Sequence, residues 1–231
     1  MESPEAAVKM RFAWILLCAA IAGCAPAPFV ADPLPPLQNP NPVTMRDTFL
    51  RAMPRQFVSE DSIIIQAPFH DDIAALGVMR VDRTAGTFEL VVMNQTGLKL
   101  LAMSGNRSGV VVNFAIGPLM QHKDLLQLVG RDVGRIFLDE VPSSAQGARI
   151  GSNWVRFRDK QSDGTVFYEF GGNPPVLLEK WADGFFGDAW RVRYYHYAPH
   201  PGGLYPRGIV MDNAQLHYRI IVKNRDVEID Q

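Results

Sequence analysis

Short apolar segments alternate with turn-forming residues along the chain from Arg55 onward. The separators, such as Asn94–Gly97, are rich in residues that favour tight turns. Because short consecutive strands joined by such turns pair with their neighbours, the pattern predicts an antiparallel meander. Its strands are predicted over Phe57–Val58 with Ser62–Ala67, then Ile73–Val81, Gly86–Met93, Leu98–Ser104 and Gly109–Ala115.

The spacing of the apolar residues changes after Pro118 and becomes helical over Leu119–Leu138. Gly130 and Gly134 weaken this predicted helix, so a break near them is an open alternative. A shorter helix is predicted over Thr44–Ala52, with Thr44 as its N-cap.

Strand-like segments resume after a predicted loop at Gly147–Gly151, and a second loop rich in proline and glycine is predicted over Pro199–Pro206. The later strands are predicted over Trp154–Arg158, Thr165–Phe170, Val176–Trp181, Trp190–Tyr197, Gly208–Met211 and Gln215–Val222. This order of strands, helix and strands predicts one α+β domain built on a single curved antiparallel sheet.

The N-terminus has the order of a secretory signal: basic residues, the uncharged apolar run Phe12–Ile21, then the small residues Ala22 and Gly23. The run is too short to cross a bilayer of ~30 Å as a helix. The ending Ile21-Ala22-Gly23-Cys24 resembles a bacterial lipobox, which implies cleavage before Cys24 and lipid attachment to Cys24. Two or more acyl chains give stable anchoring. An ordinary signal peptide, in which Cys24 is incidental, is the alternative.

This interpretation divides the chain into a signal peptide (residues 1–23), a lipid-anchored, proline-rich tether (24–43) and a folded domain (44–231). The tether extends by ~3 Å per residue. Ala25 follows the cysteine, which implies the outer membrane in bacteria that sort lipoproteins by this position, and we expect the domain on the periplasmic face. Glu2 and Glu5 are unusual in a signal, so Met10 is an alternative start.

The balanced charge excludes some classes of partner. The formal net charge is −1, with acidic and basic residues interspersed, so the chain has no electrostatic footprint for nucleic acid. Cys18 leaves with the signal, and Cys24 is then the only cysteine, so no disulfide can form within the mature chain. We therefore expect a packed core to supply the stability.

No catalytic constellation emerges from the remaining motifs, and no cofactor or metal is expected. His70-Asp71-Asp72 is interpreted as a solvated loop, because consecutive strand residues point to opposite faces. His196 and His200 are flanked by prolines that exclude a shared helical face. The tryptophans and tyrosines of the second half fit a core, with a carbohydrate platform as an open alternative.

The layout from about Phe49 to Val227 resembles the LolA/LolB superfamily of bacterial lipoprotein carriers and receptors. Three segments carry the resemblance: the strand–turn–strand Phe88–Leu100, the helical segment Leu119–Leu138, and Tyr205–Met211 with Leu216–Val222 as a closing hairpin. The resemblance implies a half-barrel with helices covering its concave face.

Such a half-barrel implies a cavity that takes acyl chains, since burying methylene groups is favourable. Candidate lining residues are apolar positions on the strands and on the covering helix: Leu90, Val92, Leu100, Val112, Phe114, Leu125, Leu126 and Val129. In the receptor LolB the corresponding turn presents an apolar residue to the membrane. Here polar Thr96 occupies that place beside Leu98, which favours a relative that only binds a hydrophobic ligand.

The first hypothesis is therefore a non-enzymatic outer-membrane lipoprotein that binds acyl chains or another hydrophobic ligand, with a possible place in lipoprotein or lipid transfer. The alternative is a structural or assembly lipoprotein that docks a protein partner without a lipid ligand. A hydrolase using the His196–His200 region is a distant third.

The lipobox predicts that Cys24→Ala blocks both lipid attachment and processing. The variant should accumulate as an uncleaved precursor without acyl groups, which mass spectrometry and detergent-phase partitioning measure. Normal processing with unchanged partitioning would remove the lipoprotein interpretation.

Overall fold

Twelve antiparallel strands form one continuous sheet in the computed structural model of the chain. The structure describes residues 28–38, 40–68, 71–145, 147–161, 164–184, 187–200 and 203–228. The predicted signal peptide, Cys24 and His70 lie outside these residues. Ala31–Gln231 forms one compact unit.

The first and the last strand of the chain are neighbours at the centre of the sheet. The strands, in chain order, are β1 (Gln56–Gln66), β2 (Ile73–Asp82), β3 (Thr87–Met93), β4 (Lys99–Asn106), β5 (Gly109–Ala115), β6 (Arg149–Ile150), β7 (Trp154–Gln161), β8 (Gly164–Gly171), β9 (Val176–Gly184), β10 (Gly187–His200), β11 (Gly203–Asn213) and β12 (Tyr218–Glu228). From β1 the chain steps outward to the edge strand β5, crosses to the other edge at β6, and returns to β12, which pairs with β1. Because β5 and β6 do not pair with each other, the curved sheet stays open along one side.

Three helices accompany the sheet in the described part of the chain: α1 (Pro42–Ala52), α2 (Gly117–Met120) and α3 (Lys123–Phe137). Helix α1 starts two residues before the predicted Thr44. Asn41 is its N-cap and accepts a hydrogen bond from the Thr44 N–H at 3.1 Å, so the predicted cap was wrong. Pro42 suits the first helical turn, where its missing N–H costs nothing.

The fold class is confirmed, while several element bounds differ from the prediction. Strand β1 is continuous, and its alternating burial matches a half-buried strand. The predicted loop at Pro199–Pro206 is instead a hairpin, in which Pro199 pairs with Leu204 and Tyr197 with Pro206. The central helix runs unbroken through both glycines and is interrupted earlier, between Met120 and Lys123.

Part of the predicted tether lies on the domain. The Leu37 N–H donates to the Ser152 carbonyl at 2.9 Å, and Asp32 Oδ1 lies 2.9 Å from His196 Nδ1. Leu37 also packs against the core. The stretch that precedes α1 is therefore seated on the domain from about residue 32.

The core lies on the concave side of the sheet, between the sheet and the helices. Phe49 of α1 is fully buried and meets Phe170 edge to face at 5.1 Å. Phe57 contacts both Phe137 of α3 and Tyr205, with ring centroids 6.4 and 4.9 Å away. Each fully buried aromatic side chain of this kind contributes roughly 1.5–3 kcal/mol through apolar burial.

One carboxylate interrupts this apolar face. Asp61 of β1 is 2% exposed and accepts hydrogen bonds from Ser59 Oγ at 2.7 Å and from Asn224 Nδ2 at 3.1 Å. Burial raises the pKa of Asp61 from 3.8 to about 6, against the opposing effect of these two hydrogen bonds. The folded state therefore binds more protons than the unfolded state between pH 3.8 and about 6.

This pKa shift predicts that Asp61 lowers the free energy of unfolding as the pH rises from about 4 to 6. Asp61→Asn removes the charge, so we expect the variant to exceed the wild type by about 1–3 kcal/mol at pH 8 and to match it near pH 4. Urea unfolding at pH 4, 6 and 8 measures the difference. Exposed Asp71→Asn is the matched control, and equal pH profiles for all three proteins would contradict the prediction.

Candidate functional site

Helix α3 lies against the concave face and is the element that shapes the candidate site. Its apolar side chains Leu126, Val133, Ile136 and Phe137 are buried. Gly130 brings the helix close to the sheet, because a methyl group there would lie 2.4 Å from Val110 Cγ1 and 3.2 Å from Met103 Sδ. The glycine that weakens the helix in isolation thus permits its contact with β4 and β5.

Buried polar contacts hold the C-terminal half of α3. Asp132, only 1% exposed, accepts hydrogen bonds from Asn213 Nδ2 at 2.8 Å and from Tyr218 Oη, and it pairs with Arg135 at 2.7 Å. Tyr194 Oη donates to the Ile136 carbonyl at 2.8 Å. These bonds tie the helix to β10, β11 and β12.

The end of α3 is held by a buried lysine. Lys180 of β9 is fully buried, and its Nζ donates to the carbonyls of Asp139, at 2.6 Å, and of Arg135. Burial lowers the pKa of Lys180 to about 8, with Glu140 and Asp139 opposing the shift. A cation suits the negative end of a helix dipole. Arg83 adds a bond from Nε to Glu140 Oε2 at 2.6 Å.

The N-terminal half of α3 is attached differently. Among the described residues, no side-chain hydrogen bond or ion pair joins Lys123–Arg131 to the sheet. In this half Gly130 lies against Val110 of β5 and Met103 of β4, Leu126 and Val129 pack in the apolar core, and Leu125 is 45% exposed. The helix is thus fixed by polar bonds at one end and held by apolar contact at the other.

The sequence-predicted cavity residues are divided between core and surface. Leu90 and Leu126 are buried, Val92, Leu100, Val112 and Val129 are half-buried, and Phe114 and Leu125 are exposed. The register places Leu90, Val92 and Val112 on one face, opposite Met103, Leu101 and Met103 respectively. Phe114 pairs with Ala102 and carries Lys99 over its ring at 5.4 Å, on the other face of the sheet.

A cleft of about 1030 Å³ follows the open side of the sheet and is named the seam cleft here. Its walls are the β4–β5 hairpin (Asn106–Val110) on one side and residues of β7–β10 on the other, and the outer face of α3 forms its floor. A smaller apolar groove of about 280 Å³ adjoins β5. Val112 is the one predicted cavity residue that lines either space in the described part of the chain.

The turn between β3 and β4 presents a leucine. Asn94 Oδ1 accepts hydrogen bonds from the Thr96 N–H, the Thr96 hydroxyl and the Leu98 N–H, at 2.8–3.0 Å. Gly97 has a φ of +83°, which glycine adopts without strain. Both Thr96 and Leu98 are exposed, Leu98 by 60%. The turn is therefore rigid and carries one apolar side chain beside its polar tip.

The two histidines singled out in the second half, His196 and His200, have separate surroundings. His196 lies beside Asp32, and the His200 ring is 6.4 Å from the ring of Tyr205. The described residues contain no group of three His, Cys, Asp or Glu side chains placed for a metal ion. None of the helices described is both long enough and apolar enough to cross a membrane.

Comparison with known proteins finds solved structures that resemble this chain in fold. No protein-family model matches the chain, and no curated protein matches it in sequence. A LolA superfamily protein from Nitrosomonas europaea superposes with a TM-score of 0.52 at 9% identity, covering 82% of this chain and 93% of its own. The chain therefore has a LolA-like fold, as the resemblance implied.

Two further solved structures are similar at lower scores. One is described as an outer membrane lipoprotein-sorting protein domain from Vibrio parahaemolyticus, with a TM-score of 0.45, 8% identity and coverage of 82% and 92%. The other is a DUF1329 family protein from Desulfovibrio piger, with a TM-score of 0.46, 9% identity and coverage of 81% and 92%.

Several residues of the candidate site were not singled out from the sequence. The bonds to Asp132 and Lys180 join residues far apart in the chain, and no local pattern reveals them. The polar face of α3 could have been found from the sequence, because its residues recur at every fourth position of a helix: Lys123 in the adjoining groove, and Gln127, Arg131 and Arg135 on the floor of the seam cleft.

The exposed turn predicts that Leu98→Ser weakens liposome association of the unacylated chain, and that Thr96→Leu strengthens it. Burying a leucine-sized side chain contributes roughly 1.5–3 kcal/mol, so each change should alter the partition coefficient about tenfold or more, with thermal stability nearly unchanged. Co-sedimentation with liposomes measures both. Leu50→Ser on α1, where Leu50 is 48% exposed, is the control. Association insensitive to both turn residues would show that another surface meets the membrane.

Proposed function

We propose that this chain is a non-enzymatic lipoprotein of the outer membrane that binds acyl chains between the N-terminal half of α3 and the concave face of the sheet. The single observation that carries the proposal is the unequal attachment of α3. Polar bonds fix its C-terminal half, while its N-terminal half rests on apolar side chains. A LolA-like fold supports a role in binding hydrophobic molecules.

The concave face is filled with side chains beneath the fixed half of the helix, where Phe57, Phe88 and Phe137 are buried. Space for a ligand therefore arises where α3 can separate from the sheet without breaking a buried polar bond. Val129 at that end is half-buried and packs against the core, as do Val92 of β3 and Val112 of β5. Methylene groups of a ligand would replace these contacts at ~0.8 kcal/mol each, so a long chain offsets the displacement of the helix.

The lipid anchor belongs to the same proposal. The lipobox at Cys24 would supply the membrane attachment, and Ala25 supports the outer membrane, with the domain on its periplasmic face, in bacteria that sort lipoproteins by this position. The anchored domain would then receive acyl chains of lipids or lipoproteins close to the membrane surface to which it is attached.

A second candidate function is the docking of a protein partner at the sheet edge. Strand β5 is an edge strand of seven residues without charge or proline, and Val111 is 61% exposed. Natural edge strands usually carry charges, prolines or bulges that prevent pairing with another chain, and of these β5 has only the irregularity in its register at Asn113. The opposite edge, β6, has only two residues and offers no comparable surface.

Val129→Arg tests acyl-chain binding. A fluorescent fatty acid should bind the mature polypeptide (Cys24→Ser, from residue 24) in a 1:1 complex, and Val129→Arg should weaken binding at least tenfold without unfolding the domain. The charge costs several kcal/mol inside an apolar site, but half-buried Val129 lets it reach water in the free protein. Fluorescence titration and circular dichroism measure the two properties.

The matched control is Val43→Arg, because Val43 is a 50% exposed valine on α1, a different helix. It should leave binding unchanged. A wild-type domain that binds no apolar probe below its aggregation limit would replace this proposal with the docking function at β5.

A further inference from the structure

The outer face of α3 carries a row of polar residues along the open side of the sheet. Lys123, Gln127, Arg131 and Arg135 recur every four residues, so they share one face of the helix. Gln127, Arg131 and Arg135 line the seam cleft, while Lys123 and Gln127 line the adjoining groove at β5. The helix that covers the core thus presents basic side chains to the cleft.

The walls of the cleft add charges that are partly neutralised. Arg107 pairs with Asp139 at 3.2 Å. Asp159 accepts hydrogen bonds from the backbone N–H and the hydroxyl of Ser143, at 3.1 and 2.5 Å. Arg135 pairs with Asp132 and lies over the Trp190 ring at 4.9 Å. The two arginines are thus paired with carboxylates, whereas Asp159 is hydrogen-bonded but has no cationic partner among the described residues.

Three cations along the cleft and groove are left without an acidic partner among the described residues: Lys123, Arg131 and Lys160. Asp159 and Asp183 are the carboxylates of the cleft without a cationic partner within the described chain, and both oxygens of Asp159 are bonded to Ser143. Three such cations against two such carboxylates leave a small positive balance along the cleft and groove, and the cations Lys123 and Arg131 lie on α3. Arg131 is central to this balance, midway along the exposed face of α3.

The seam cleft and the groove are neighbours that differ in chemistry, and together they define a path over α3. Val110 and Gln127 line both of them. The groove is walled by the apolar residues Val110, Val111, Val112 and Met120. A molecule lying along this path would meet apolar side chains on β5 and cationic side chains over α3. Amphiphiles with an anionic head have this distribution of chemistry.

We propose that the seam cleft binds the phosphate group of an anionic amphiphile, with Arg131 and Lys160 as its principal contacts. The assignment rests on the proposed function, because it places the headgroup of the molecule whose acyl chain enters between α3 and β5. Guanidinium groups bind phosphate oxygens through paired N–H donors, which makes Arg131 the more selective contact. The cleft of about 1030 Å³ has room for a headgroup larger than phosphate alone.

The test uses the mature polypeptide with Cys24→Ser and three probes: dodecyl phosphate below its micelle concentration, uncharged dodecanol, and inorganic phosphate. Each is titrated against bound N-phenyl-1-naphthylamine, an uncharged fluorescent probe, and by calorimetry. Arg131→Glu should raise the dissociation constant of dodecyl phosphate at least tenfold, the loss expected for one charge-assisted contact. Dodecanol and the fluorescent probe should bind the variant as they bind the wild type.

Arg207→Glu is the matched control, since Arg207 is an exposed arginine on β11 outside the cleft, and it should change none of the affinities. Wild-type binding of dodecyl phosphate should also weaken as salt is added.

Equal effects of Arg131→Glu on dodecyl phosphate and dodecanol, or no effect on either, would overturn the headgroup site and leave acyl binding intact. Inorganic phosphate binding as tightly as dodecyl phosphate would identify a free anion as the ligand and overturn the headgroup assignment. Absence of binding by every apolar probe would instead overturn the proposed function, and the headgroup site with it.

Discussion

The buried polar bonds at the C-terminal half of α3 are the constraint on which the rest of the structure depends. A carboxylate and an ammonium group are costly to bury, and their cost is offset only where each finds partners of good geometry. Asp132 finds its partners in side chains of β11 and β12, and Lys180 finds its partners in the carbonyls of Arg135 in α3 and of Asp139 just beyond it. An apolar interface tolerates sliding, whereas these bonds permit one position of α3 on the sheet.

The half of the sheet that receives these bonds is also braced on its convex side. Arg156 lies 4.7 Å from the Trp154 ring and 4.9 Å from the Trp181 ring, and it pairs with Glu169 at 2.7 Å. Arg191 lies 5.3 Å from the Trp181 ring. Stacked aromatic and guanidinium groups of this kind join β7–β10 across the strands. Most polar bonds to α3 come from the β9–β12 side, and the β4–β5 hairpin adds Arg107, which bonds to the Leu138 carbonyl and to Asp139.

Local patterns in the sequence predicted the elements that depend on local physics. Strand β5 matched its predicted bounds because glycine and turn residues mark both ends, and the central helix followed from its apolar spacing. The hairpin through Pro199 and Pro206 was missed, since a sequence does not show which N–H groups of a strand need a partner. The contacts of Asp132 with Asn213 and Tyr218 span more than eighty residues and exist only once the sheet has formed.

Asp32 and Leu37 bond to the domain, and these contacts limit how far the domain can extend from a membrane anchor. If Cys24 carries the lipid, only residues 25–31 separate the acyl chains from Asp32, and seven residues extend at most about 25 Å. This is comparable to the width of a small domain rather than to the depth of the periplasm. The domain would then stay near one bilayer surface, able to tilt there but unable to travel, and any ligand would have to be carried to it.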